Sequence, residues 1–434
     1  MWVYGLAFGV SLVLVLLVTP LTRRLAIWLG AIDMPHDRKV HENPTPTLGG
    51  LAIFLAVLAS LLTCKILFAL MPVSSVPQGI ASAVSSPQLL GIILAATFIA
   101  LLGAVDDMRH LSPWMKIAGQ VMAALLLVSF GVEITTLALP HGNVFDFSAS
   151  PLLSILLTII WMVAFTNIIN LIDGLDGLAA GIVLISSIAF FFYGSRIGAD
   201  SNTLQAMVIS AAVGGACLGF LKYNFNPASI FMGDSGSMFL GFILGAISIQ
   251  GILKRTAVAT LFTPIIILAV PILDTGLAIF RRARSGKPLL HADKEHIHHR
   301  LLYLGHSHRQ TVLIIYLWTG LLTAIALAME FVASKKVVLI LLGAGILVFF
   351  ATTLPRIIMG GRIIEKEEDE LEELESQETA GDEIIETALL PSEAIIKPEP
   401  TLAGPGEMKL DELVKRAASP KTEPDGEQPH NQIG

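Results

Sequence analysis

The sequence predicts an all-α, polytopic transmembrane helix bundle, and three observations carry that expectation. Hydrophobic residues make up 54% of the 434 positions and charged residues 15%, and the mean hydropathy of +0.72 lies far outside the range of soluble domains. Apolar segments of about 17–22 residues recur down the chain, the length needed to cross the hydrocarbon core. Charge is also sorted: from Ile363 onward 20 acidic residues face 6 basic ones, whereas the preceding part is net basic. The expected organisation is therefore a membrane domain over residues 1–360 and an acidic tail over residues 361–434.

The first segment, Trp2 to Leu21, is almost chargeless and is followed by Arg23-Arg24. A secretory signal carries its positive charge before the apolar run, so this reads as an uncleaved span with its N-terminus outside. Further spans are expected near 48–70, 89–105, 114–131, 151–170, 176–194, 204–222, 237–253, 257–280, 312–332 and 337–354, about eleven in all. An odd number puts the C-terminus in the cytoplasm. The inside loops then hold Arg23, Arg24, Arg38, Lys39, Arg109 and the run from Arg281 to Arg309, in keeping with the positive-inside rule. Cys64 and Cys217 fall in different apolar segments and read as helix-packing residues. The tail opens on a dense acidic run, Glu365 to Glu378, and continues Pro-rich and charged. It cannot bury enough apolar surface to offset its ordering entropy and is expected to be mostly disordered, with a short helix from Glu365 to Glu375 as the one alternative.

Acidic residues do not follow the positive-inside rule, yet most carboxylates before the tail map to the inside face. Asp33, Asp37, Glu42, Asp106, Asp107, Asp173, Asp176, Asp234, Asp274, Asp293 and Glu295 all lie there, against Glu133, Asp146, Asp200 and Glu330 outside. A functional site is the simplest cause.

Five stretches supply its candidates. In the first inside loop, Lys39 and His41 offer cationic donors between Pro44, Pro46 and Gly49-Gly50, where a helix start favours anions; simple topology charge is the alternative. Asp106-Asp107 closes the third span, with Lys116 early in the next. Two adjacent carboxylates at low dielectric repel unless a cation sits there, although one of them could cap a loop. The run Asn167-Ile-Ile-Asn-Leu-Ile-Asp-Gly-Leu-Asp-Gly177 spaces Asn167, Asn170, Asp173 and Asp176 three apart, which on a helix makes one slowly rotating polar stripe. Asparagine can equally serve as glue between membrane helices, an explanation that fits the aspartates less well.

The fourth stretch places Asp234 among Gly233, Ser235, Gly236 and Ser237 at a helix start. Small residues there leave room for a phosphate or metal, with an N-cap role for Ser235 as the alternative. Last comes His296-Ile-His298-His299-Arg300, followed by His306 and His308. These histidines lack the spacing of a zinc pair and suit a phosphate-rich ligand better, while His306 and His308 read equally as solvated loop residues. Asp274 lies inside its span as a buried acid, either in a site or paired with Arg281 or Arg282.

Carboxylates, amides, basic loops and histidines gathered at one face of a lipid-embedded bundle point to Mg²⁺-dependent chemistry on a diphosphate, with one soluble and one lipid substrate. The five stretches in this order resemble the polyprenyl-phosphate N-acetylhexosamine-1-phosphate transferase family over roughly residues 1–350. The His-Ile-His-His form with Ser307-His-Arg-Gln-Thr311 looks most like undecaprenyl-phosphate N-acetylglucosamine-1-phosphate transferases. The resemblance implies a plasma-membrane enzyme of a bacterium with its site on the cytoplasmic face. Its substrates would be UDP-GlcNAc and undecaprenyl phosphate, with UMP released and a lipid-linked sugar formed for an envelope glycan such as teichoic acid or O-antigen. UDP-MurNAc-pentapeptide or another UDP-HexNAc is the alternative donor. It further implies Mg²⁺, or Mn²⁺ in its place, near Asp234 and Asn170. Catalytic or supporting roles would fall to Asp106, Asp107, Asp173, Asp176, His296, His298 and His299, and substrate binding to Lys39, His41, Lys116, Asn167 and Arg300. A homodimer is left open, and no nucleic acid is expected. A transporter of a phosphorylated solute is the rival class, but it predicts ionisable residues near the midplane and internal repeats, whereas these acids pool at one surface.

Overall fold

The computed structural model describes residues 2–35, 44–71, 78–138, 144–198, 200–250 and 301–331, with scattered positions between 265 and 276 and between 336 and 348. Ten helices carry the described fold: α1 Trp2–Leu29, α2 Gly49–Leu70, α3 Gln78–Ser85, α4 Pro87–Arg109, α5 Pro113–Ser129, α6 Pro151–Ile172, α7 Leu178–Ile197, α8 Ser201–Asn224, α9 Gly233–Ser248 and α10 His308–Phe331. The all-α expectation holds. Seven of these helices are long and apolar enough to cross a membrane, while α5 and α9 are apolar but shorter. Nine of the eleven expected spans thus have a helix. The expected spans at 257–280 and 337–354 lie largely, and the tail wholly, outside the described residues, as do Lys39, His41, His296, His298, His299 and Arg300.

Helix starts follow the local sequence. Pro87 and Pro113 occupy first-turn positions, and the side chains of Ser86 and Ser112 accept from Leu89 N–H (3.2 Å) and Met115 N–H (3.4 Å). Asp200 caps α8 through Thr203 N–H at 2.9 Å. Pro20 lies inside α1, where its missing N–H leaves the Leu16 carbonyl without its helical donor. The Tyr223 hydroxyl of α8 donates to that carbonyl at 2.9 Å. In a lipid environment, where an open carbonyl is expensive, this bond lets the proline stay.

The core is organised on α9, buried at every residue from Ser235 to Ser248. Helices α4, α6 and α2 pack against it, and α8 lies between α1 and α7. The approach of α2 to α9 is close because both are glycine at the contact: a Cβ on Gly50 would collide with the backbone of Gly236. Two small antiparallel hairpins were not foreseen. β1 (Ile32–Asp33) pairs with β2 (Thr45–Pro46) and pins the ends of the first inside loop. β3 (Thr136–Ala138) pairs with β4 (Val144–Asp146) beyond the far end of α5. Cys64 and Cys217 are free and buried, as expected of packing residues.

Two expectations about helix ends need correction. Helix α4 does not stop at Val105 but runs through Asp106 and Asp107 to Arg109, because His110 takes a left-handed cap (φ 49°) and donates to Asp106 O at 2.8 Å. The four-residue stripe is not one helix face either. Helix α6 ends at Ile172, so Asn167 and Asn170 are helical, Asp173 is the cap and Asp176 lies in the turn before α7.

Candidate active site

The ends of α4, α6 and α8, the starts of α9 and α10 and the β1–β2 hairpin meet around an open cleft of about 450 Å³. Among its lining residues are Asp106, Asp107, Asn170, Asp173, Asp176 and Asp234, six of the residues expected from sequence. Lys116 stands beside it. These residues come from four different helices and one turn, so the gathering is a product of the tertiary fold.

Asp234 is the hub. It sits in the first turn of α9, where Oδ2 accepts from Lys116 Nζ at 2.7 Å and Oδ1 accepts from Asn170 Nδ2 at 2.6 Å. Asn170 Nδ2 also reaches Ser237 Oγ at 2.9 Å, which fixes the amide against α9. Lys116 pairs at the same time with Asp106. The exposures differ sharply: the Asp106 side chain is 1% exposed and that of Asp234 28%, so Asp234 is the carboxylate of this pair that a ligand can reach.

Asp107 and Asp106 both prove to be caps. Asp107 Oδ1 accepts Asp234 N–H at 2.7 Å and Oδ2 accepts Ser235 N–H at 3.1 Å, so a residue of α4 caps α9. Asp106 Oδ1 accepts Leu111 N–H at 2.6 Å and holds the turn that leads to α5. Sequence reasoning granted one of the pair such a role and missed the second, since the capped helix begins 126 positions later in the chain.

The small residues around Asp234 are also spent on packing. Gly233 has φ 71°, and a Cβ there would fall 2.5 Å from Asp107 Oδ2. Its missing side chain makes room for the capping carboxylate, and Gly236 makes room for Gly50. The helix start at Gly49-Gly50 is likewise no open anion site. Gly49 N–H donates to Phe231 O (3.0 Å) and Gly50 N–H to Met232 O (2.8 Å), which ties α2 to the segment before α9.

Asn167 stands apart. Its Nδ2 donates to Gln120 Oε1 on α5 at 2.6 Å and to Val163 O at 2.8 Å, which makes it half of an interhelical amide pair. Asp176 accepts from Asn226 Nδ2 and Ala228 N–H, both at 3.0 Å, and so anchors the loop before α9. Asp274 is buried, as its sequence position suggests.

Asp173 is different again. Among the described residues no donor bonds its carboxylate, and Asp234, Asp107 and Asp176 surround it. Burial, then those three carboxylates, raise it well above the usual carboxylate range. A carboxyl whose charged form is disfavoured by other carboxylates would ionise more readily with a cation beside it. No three His, Cys, Asp or Glu side chains among the described residues could hold a metal by themselves. Mg²⁺ is typically held by one or two protein carboxylates and completes its shell with substrate phosphates and water. The oxygens of Asp234, Asp173 and the Asn170 amide fit such a donor set.

The cleft also contains residues that sequence reasoning did not select. Gly30 and Thr47 flank the β1–β2 hairpin, His110 is the α4 cap and His308 opens α10. Only His308 carried a signal, as one of two histidines beyond the His296–Arg300 stretch.

Comparison with known proteins identifies relatives of the chain. The model of "Glycosyl transferase family 4" matches residues 89–252. The decaprenyl-phosphate N-acetylglucosaminephosphotransferase of Mycobacterium tuberculosis is 39% identical over 353 residues, covering 78% of this chain and 85% of that protein. The probable undecaprenyl-phosphate N-acetylglucosaminyl 1-phosphate transferase of Bacillus subtilis is 40% identical over 316 residues, 72% of this chain and 80% of that protein. The undecaprenyl-phosphate alpha-N-acetylglucosaminyl 1-phosphate transferase of Escherichia coli is 26% identical over 314 residues, 71% of this chain and 79% of that protein.

Proposed function

The chain belongs to the glycosyl-1-phosphate transferases of glycosyl transferase family 4, and from that premise we propose that it transfers N-acetylglucosamine-1-phosphate from UDP-GlcNAc to undecaprenyl phosphate. UMP is released, and the lipid-linked sugar starts an envelope glycan. The reading places the site on the cytoplasmic face of a bacterial plasma membrane, where the soluble donor and the lipid phosphate can meet. The observation that carries it is the convergence of Lys116, Asn170 and Asp173 on Asp234 at one end of an apolar bundle.

In the proposed reaction, an oxygen of the lipid phosphate forms a bond to the phosphorus that bears the sugar. The bond from that phosphorus to the bridging oxygen breaks, and UMP leaves with that oxygen. A phosphate monoester is already anionic near neutral pH, so the nucleophile needs little help from a base. The protein's task is to hold two anions in line and offset their charge. Lys116, on a flexible stem between Asp106 and Asp234, can turn one N–H toward a phosphate oxygen without leaving both carboxylates. Asp107 fixes the start of α9, and Asn170 fixes the rotamer of Asp234. Mg²⁺ held by Asp234, Asp173 and Asn170 would supply neutralisation of phosphate charge.

The test is UMP release by the purified full-length protein with Mg²⁺, undecaprenyl phosphate and a panel of UDP-HexNAc donors. Release with UDP-GlcNAc above the other donors is expected. Release only with UDP-MurNAc-pentapeptide or another UDP-HexNAc would replace the donor, and no release with any donor would overturn the reading. A parallel arm with decaprenyl phosphate reports how far acceptor length matters.

A further inference from the structure

Among the described side chains that line the cleft, His308 is one that the proposed reaction does not use. His308 begins α10 and lines the cleft with Asp173, Asp176 and Asn224. Its Nε2 is buried and has no hydrogen-bond partner among the described residues. The imidazole is held in place from two sides. Its ring meets the backbone of Asp176, and the next residue, Arg309, donates from Nε to Asn226 O at 2.9 Å. Asn226 is itself bonded to Asp176, so α10 and the Asp176 turn are tied through one loop. Further along α10, Tyr316 donates its hydroxyl to Gly177 O, a second tie between the same two elements.

A buried ring nitrogen fixed in this way and left without a partner is uncommon, because the desolvation is not offset. Such a group in a substrate cleft is completed when the ligand arrives. The neighbourhood decides which part of the ligand it meets. Its charged neighbour is Asp176, and the described residues that line the cleft include no lysine or arginine, so this position suits a hydroxyl or N–H group better than a phosphate. With the Asp176 backbone occupying its other edge, a neutral ring presents Nε2 as an acceptor.

We propose that His308 is a substrate-contacting residue of this transferase, and that its Nε2 accepts a hydrogen bond from a hydroxyl or N–H group of the soluble nucleotide-sugar. The inference rests on the nucleotide-sugar reading above for the substrate, but its placement depends only on the cleft. Two parts of that substrate carry the required chemistry, the nucleoside and the hexosamine, and the experiment separates them.

The full-length protein in detergent is compared with His308→Ala and His308→Gln for steady-state kinetics and for UMP binding by calorimetry. Thermal unfolding serves as the folding control. Loss of one hydrogen bond predicts about a tenfold rise in the donor KM of His308→Ala, with the polyprenyl-phosphate KM unchanged and partial recovery in His308→Gln, whose amide oxygen can accept. An equal loss of UMP affinity assigns the contact to the nucleoside. Unchanged UMP affinity with a raised donor KM assigns it to the sugar. Unchanged donor KM and UMP affinity in a folded His308→Ala protein overturns the proposal, as does an effect confined to the lipid KM. An inactive wild-type protein would defeat the proposed reaction but leave the UMP-binding comparison readable.

Discussion

Asp107 on α4 accepts the backbone N–H of Asp234 on α9 at 2.7 Å, so one carboxylate of the cleft holds another in place. Its second oxygen takes the next N–H, from Ser235. Removing both acceptors leaves two donors of a buried helix start unpaired, at about 1–3 kcal/mol each. Asp107→Ala is therefore expected to lower the midpoint of thermal unfolding and to lose most UMP release. Asp107→Asn keeps one acceptor oxygen and should retain more of both. Equal thermal stability of Asp107→Ala and the parent protein would remove the capping role.

Lys116 neutralises two carboxylates from different helices. Its replacement by Met leaves Asp106 and Asp234 facing each other across the gap with no cation between them. Loss of a charged partner at a buried site costs about 3–5 kcal/mol, so Lys116→Met should be both unstable and nearly inactive. The pair is coupled, so Lys116→Met with Asp106→Asn should be more stable than Lys116→Met alone. A double variant no more stable than the single one would show that Lys116 contributes through a substrate contact alone.

The contact between Gly50 and Gly236 sets how closely α2 approaches α9. A methyl group at Gly50 overlaps backbone, which cannot swing away as a flexible side chain can. Overpacking at such a contact costs about 1–3 kcal/mol, and the displaced helix carries Asp234. Gly50→Ala is expected to lower the unfolding midpoint and turnover together. Gly5→Ala in α1, where a Cβ meets open space, is the matched control and should change neither.

Asp173 predicts a pH dependence with a definite sign. Its carboxyl is raised by burial and by Asp234, Asp107 and Asp176, so the folded state resists ionisation that the unfolded chain accepts. Below the unfolded value the group costs nothing. As pH rises above the ordinary carboxylate value, the metal-free protein loses stability until the folded group ionises too. Asp173→Asn should remove this component, stabilising the protein in chelator at neutral pH while lowering turnover. Thermal unfolding of both proteins across a pH series in chelator checks it. A parent protein no less stable at neutral than at acidic pH, relative to Asp173→Asn, would contradict the sign.

Asp234 and Asn170, which line the cleft, were legible as candidates because polar groups at the ends of apolar segments have few other reasons to be there. Asp107 and Asn167 were selected by the same logic, yet the fold gives one a cap and the other an amide partner, Gln120. His308 could not be placed in the cleft from sequence, because nothing in its local sequence shows which loop α10 is tied to. The glycines near Asp234 looked like space for a ligand, and the fold fills that space with Asp107 and Gly50.

The sequence by itself determined the bundle, the helix starts at Pro and Ser, and the pooling of carboxylates at one set of helix ends. These follow from transfer free energy and local backbone chemistry, which act over a turn or a span. Tertiary structure alone decided which carboxylate is reached by Lys116, which is spent on backbone N–H groups, and which, Asp173, is left without a donor among the described residues. Those outcomes depend on contacts between segments more than 50 positions apart, such as Asn170 with Asp234 and Lys116 with Asp234. A hydrogen bond or ion pair is set by distances of a few ångströms, and no pattern along the chain fixes those across helices.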